Sequence, residues 1–196
     1  MINRIADLSQ RKAAIIVGAL ILIAYGVLGS SILESKIIGM LFEVISGIAV
    51  IGIAVIMFPF LKPYNKKVTQ GYLFCKSVEG ALMIVAGILL LFFSILIVEI
   101  RDWIYVGHAY IFILSALMFY YLLYKSKIIP RFISIWGIIA LPFLLIVNLL
   151  EITGNSPALS TLFYLPIVSN EVFLALWLIV KGFNPSAIAA AKGDKK

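Results

Sequence analysis

The feature that most constrains this chain is a succession of apolar stretches, each about twenty residues or longer, joined by connections too short to hold a separate domain. The runs at 13–33, 37–61, 72–98, 103–124, 130–152 and 158–180 are each long enough for a helix to cross hydrocarbon about 30 Å thick. Inside hydrocarbon no water is available to the backbone, so each run must satisfy its own amides and carbonyls as a helix. The expected fold is therefore all-α, a polytopic integral membrane protein in which residues 1–196 form one bundle of six transmembrane helices. A basic interfacial segment at 1–12 precedes the bundle, and a basic tail at 184–196 follows it. Composition points the same way, with 63% hydrophobic residues, 13% charged residues and a mean hydropathy of +1.14, well outside the range of soluble domains.

The net charge of +7 reads as topology rather than as affinity for nucleic acid, and no nucleic-acid partner is expected. Thirteen of the sixteen Lys and Arg residues fall on one side of the six-span arrangement, among them Arg11, Lys62, Lys66, Lys67, Lys125, Lys127, Arg131 and Lys181. Only Lys36 and Arg101 fall on the other, and Lys76 lies within the third span. Both termini are thus expected on the cytoplasmic side of the plasma membrane. Trp103 and Tyr105 would mark the outer interface, and Tyr72, Tyr120, Tyr121, Tyr124 and Phe183 the inner one. Residues 13–33 are too long for a signal-peptide core and lack a small-residue cleavage pattern, so they read as the first span. The one cysteine, Cys75, allows no internal disulfide, and the one histidine, His108, argues against multi-histidine metal or haem sites. Neither a metal nor a cofactor is expected.

Ionisable and amide side chains in hydrocarbon are expensive and need partners, so they are the candidates for a site. Glu43 heads a stripe with Ser46, Gly47, Val50 and Ala54 that faces protein, and a water-exposed structural carboxylate is its plainer reading. Lys76 and Glu79, three residues apart, can pair on the face that carries Gly80, Met83, Ala86 and Gly87. They read either as a structural ion pair or as part of a site. Glu171 is the deepest charge, preceded by Ser169 and Asn170 and by Pro166, which removes a backbone donor and loosens its helix. Asn148 and Glu151 share a face near the outer end, where Pro142 lies in the same span, and His108 sits just inside the outer boundary. No serine elbow, HExxH or CxxC is present, and the catalytic residues, if any, are unknown.

The segment Leu123-Tyr124-Lys125-Ser126-Lys127-Ile128-Ile129-Pro130-Arg131 with Trp136-Gly137, the stretch Leu165-Pro166 with Glu171, and Ala175 to Asn184 carry a family resemblance. So does Leu61-Lys62-Pro63 followed by Lys76 and Glu79. Together they resemble the six-span prokaryotic membrane proteins catalogued as domain of unknown function 4386. That resemblance implies a topology and a short list of polar positions, Glu43, Lys76, Glu79 and Glu171, and no activity. Lys76 departs from the Arg common at that place in the family.

The expected function is binding, sensing or transport of a small molecule, lipid or proton through an intramembrane polar cavity built by Glu171, Glu79, Lys76, Glu43, Asn170, His108 and Asn148. A structural or accessory subunit of a membrane complex is the alternative, and an intramembrane lipid-modifying enzyme the minority reading. The expected partners are the bilayer, a small-molecule or lipid ligand, and either a second copy of the chain or another membrane protein.

Overall fold

The structure is a computed structural model that describes residues 10–26, 35–92, 95–152 and 160–193. Within them the chain is helical: α1 (Gln10–Ala24), α2 (Lys36–Leu61), α3 (Lys66–Leu89), α4 (Ile95–Ser126), α5 (Arg131–Ile152), α6 (Ser160–Val180) and α7 (Pro185–Gly193). Five helices, α2 to α6, are long and apolar enough to cross a membrane. α1 differs from the expected 21-residue span. It begins at Gln10 and gives way at Tyr25 to a turn closed by the Gly26 N–H on the Ile23 carbonyl. At 1.5 Å per residue its 15 residues reach about 22 Å. Residues 1–9, most of the expected interfacial segment, and 27–34 lie outside the described residues.

The expected third span at 72–98 is also redrawn. α3 starts earlier, where the Asn65 side chain accepts the Val68 N–H at 3.1 Å and caps the helix. It ends at Leu89, and a turn over 90–92 leads to α4, so Arg101 lies within a helix rather than in a connection. The expected basic tail contains α7, which Asn184 caps by accepting the Ser186 N–H and hydroxyl. The Tyr64 hydroxyl, whose pKa burial pushes up, donates to the Ala187 carbonyl and ties α7 to the α2–α3 connection.

From α1 to α6 each helix packs on its neighbours in sequence, and α6 closes back on α1, so the six form a ring. Small residues set the closest approaches. A Cβ on Gly47 of α2 would meet the Gly80 carbonyl oxygen of α3 at 2.5 Å, and the reverse holds. At the seam, a Cβ on Gly18 of α1 would meet the Ala175 carbonyl of α6 at 2.6 Å. Arg11 fastens the same seam by donating to the carbonyls of Leu178, Ile179 and Val180, which the end of α6 leaves without helical partners.

Among the described residues the ring is filled at one end. Where the basic connections gather, Met57, Leu61, Tyr72, Tyr120, Leu123, Ile128, Ile133 and Leu178 are all at most 1% exposed and form a continuous plug. Outward faces carry Ile48, Ile139, Leu162 and Val180, each more than half exposed, as lipid-facing surfaces do.

Candidate functional site

Towards the end of the ring opposite the basic connections lies a cavity of about 700 Å³ to which all six ring helices contribute. Its deep end is polar. Glu79 projects from the small-residue face of α3, whose glycines let α2 approach and leave the longer side chains to fill the interior. The Lys76 ammonium lies 2.8 Å from Glu79 Oε1 and 4.8 Å from the Phe112 ring centroid, and the Ser115 hydroxyl donates to Glu79 Oε2 at 2.8 Å. Glu171, from the turn of α6 that follows Pro166, accepts a hydrogen bond from the Tyr25 hydroxyl at 2.7 Å and lies in the electrostatic field of both Lys76 and Glu79. Towards the mouth stand Asn148, which donates to the Leu144 carbonyl one turn back, His108, edge-on to Tyr105, and Glu151, which accepts from the Tyr164 hydroxyl.

The structure thus brings Glu79, Glu171, His108 and Asn148 to one cavity, with Lys76 behind Glu79. Two expected members lie elsewhere. Glu43 is fully buried between α2, α3 and α4, ion-paired with Arg101. Its Arg101 partner lies 5.0 Å from the ring of Tyr105, which lines the cavity wall. Asn170 points between α5 and α6, where its amide donates to the Ile133 carbonyl at 2.9 Å, because it sits about 100° round the helix from Glu171. Tyr72 and Tyr120, expected at the membrane interface, are fully buried in the plug instead. Tyr72 stacks on Phe119, the Tyr120 ring occupies the space a Cβ at Gly137 would take, and neither hydroxyl has a hydrogen-bond partner among the described residues.

Sequence reasoning missed Tyr25, Arg101 and Tyr164. For Arg101 a signal existed: a buried acid near the outer end needs a cation, and that end offers only Lys36 and Arg101. Among the described residues no three His, Cys, Asp or Glu side chains gather as a metal site. A family model described as a domain of unknown function, DUF4386, matches residues 13–99 and 93–182. The chain belongs to the DUF4386 family. In this DUF4386 protein the matched residues take in the ring helices and the carboxylates of the cavity, and α7 follows them. No curated protein and no solved structure matches the chain.

Proposed function

We propose that this DUF4386 protein binds a small apolar cation within its helix ring, as a sensor or transporter of the plasma membrane of a prokaryote. In this reading the basic end faces the cytoplasm and the cavity opens outward. The observation that carries it is the cavity itself: carboxylates of Glu79, Glu171 and Glu151 line it, while no Lys or Arg among the described residues does. Lys76 pairs with one of the three from behind. Tyr25, Tyr105, Tyr110, Phe112 and Tyr164 supply aromatic walls, and aromatic rings with carboxylates are what an ammonium or phosphonium ion on an apolar body requires. A volume of about 700 Å³ suits a ligand of several rings. The plug closes the other end, so occupancy or proton exchange at Glu171 would act by repacking α6, loosened at Pro166, and α5, loosened at Pro142, against it.

The ion pair Glu43–Arg101 and the bond from Ser115 to Glu79 also tie neighbouring helices, as an accessory subunit would require. The open cavity between them favours binding. The test measures tetraphenylphosphonium binding to the detergent-purified full chain, against tetraphenylborate, which has the same rings and the opposite charge. The expected result is saturable binding of the cation alone, weakened at least tenfold by Glu171→Gln. Equal uptake of both ions, or a cation affinity indifferent to Glu171, refutes the reading.

A further inference from the structure

At the basic end, outside the ring, a second cavity of about 560 Å³ lies between two elbows of the chain, and its chemistry is opposite to that of the first. One wall is the α4–α5 elbow with Lys127 and Arg131, the other the α6–α7 elbow with Lys181, Gly182 and Asn184, and Trp177 stands beside them. No acidic side chain among the described residues lines it, and the two ion pairs among those residues, Lys76–Glu79 and Arg101–Glu43, involve none of its three cations. Pro130 and Arg131 open α5, so the positive end of that helix faces the same region.

The cleft is held in shape by the backbone rather than by its charges. The Asn184 N–H donates to the Ile128 carbonyl at 2.8 Å and stitches one elbow to the other. Both elbows turn through left-handed backbone, at Gly182 with φ 77° and at Lys127 with φ 55°. The second is a position that suits glycine and carries a lysine instead. Arg131 is steadied by the Tyr124 ring, 4.8 Å from its guanidinium. Ile129, Pro130 and Phe183 add an apolar lining to the cleft. Three cations gathered with no carboxylate among the described residues, beside Trp177 and an apolar lining, match a phosphate group that carries an apolar body.

We propose that this cleft binds the phosphate of an anionic phospholipid headgroup, clamped by Lys127, Arg131 and Lys181 across the two elbows. The proposal does not depend on what the central cavity binds. A cation near an anionic headgroup strengthens binding about fivefold, so three give a preference of about a hundredfold over a zwitterionic lipid. The test is native mass spectrometry of the full chain released from nanodiscs of mixed phosphatidylglycerol and phosphatidylcholine. The wild type should retain phosphatidylglycerol selectively, and Lys127→Gln/Arg131→Gln/Lys181→Gln should lose about a hundredfold of that preference. Lys62→Gln/Lys66→Gln/Lys67→Gln, which removes as much charge from the same end outside the cleft, should keep it. Equal losses in the two triple variants would reduce the effect to diffuse surface charge and overturn the proposal, as would retention in both.

A second measurement does not depend on those variants folding. With Trp103 and Trp136 changed to Phe, the emission of Trp177 should be quenched more by brominated phosphatidylglycerol than by brominated phosphatidylcholine. Equal quenching overturns the proposal. Inorganic phosphate is added in a parallel titration: lipid retention unchanged at millimolar phosphate identifies the lipid headgroup, whereas displacement of the lipid would make free phosphate the ligand and overturn the lipid assignment.

Discussion

The Lys76–Glu79 pair offers a sharp test of how the ring interior is held together. Both side chains are buried, at 9% and 1% exposure, with charged atoms 2.8 Å apart. At an effective dielectric of 20 the attraction across that gap is about 6 kcal/mol, most of it offset by the cost of taking two ions out of water. Removing one partner leaves the other buried with weaker company. After Lys76→Met, Glu79 keeps, among the described residues, the Ser115 hydroxyl, and after Glu79→Leu, Lys76 keeps the face of Phe112 and the more distant Glu171. Each single change should therefore cost about 3–5 kcal/mol. The double variant removes both charges together and should cost only about 1–2 kcal/mol, chiefly the Ser115 hydrogen bond. The coupling is then about 4 kcal/mol or more. Equilibrium unfolding of the four proteins in mixed micelles of sodium dodecyl sulfate and dodecylmaltoside measures it directly. Single effects that add to within about 0.5 kcal/mol would show that the two charges do not depend on each other and refute the argument.

Three further changes probe the plug and the seam. Gly137→Ala places a methyl where the Tyr120 ring lies and should destabilise the same unfolding transition by about 1–3 kcal/mol, with Tyr120→Leu relieving part of that loss. Tyr120→Phe should instead stabilise by up to about 1 kcal/mol, since it removes a fully buried hydroxyl that has no partner among the described residues; a loss of stability would reveal one. Arg11→Gln withdraws the charged donor from three carbonyls at the end of α6, and hydrogen exchange at residues 178–182 should quicken by about tenfold or more, with α3 unchanged as an internal control.

The apolar runs at 37–61, 130–152 and 158–180 fall on α2, α5 and α6 because Lys62, Pro130 and Lys181 punctuate them. The boundary between α3 and α4 was not legible in the same way. From Leu89 to Val98 the chain is unbroken by charge, and hydropathy carries no mark of the turn at 90–92 that moves Arg101 into a helix and against Glu43. The polar start of α3 was legible only through Asn65, a capping residue just before Lys66. At the site, the i, i+3 spacing of Lys76 and Glu79 showed that they could meet, because that contact is local. Tyr25 and Glu171 are 146 residues apart and meet only because the ring closes, which no local pattern encodes. Tyr120 shows a further limit, since the same residue type serves interfacial belts and sealed interiors, and the space left by Gly137 decides between them.

Closure of the ring through α6 and α1 also bears on how the molecule is made. A chain inserted from its N-terminus places α1 to α5 before α6 arrives, and until then the future cavity is a groove that lacks one wall. The last helix brings Glu171, half of the Gly18–Ala175 approach and the carbonyls that Arg11 binds, so the interior acquires its second deep carboxylate and its seal in a single event. Acyl chains in the groove must leave, or be enclosed, at that moment. Assembly of the bundle and the first filling of its cavity are therefore the same step.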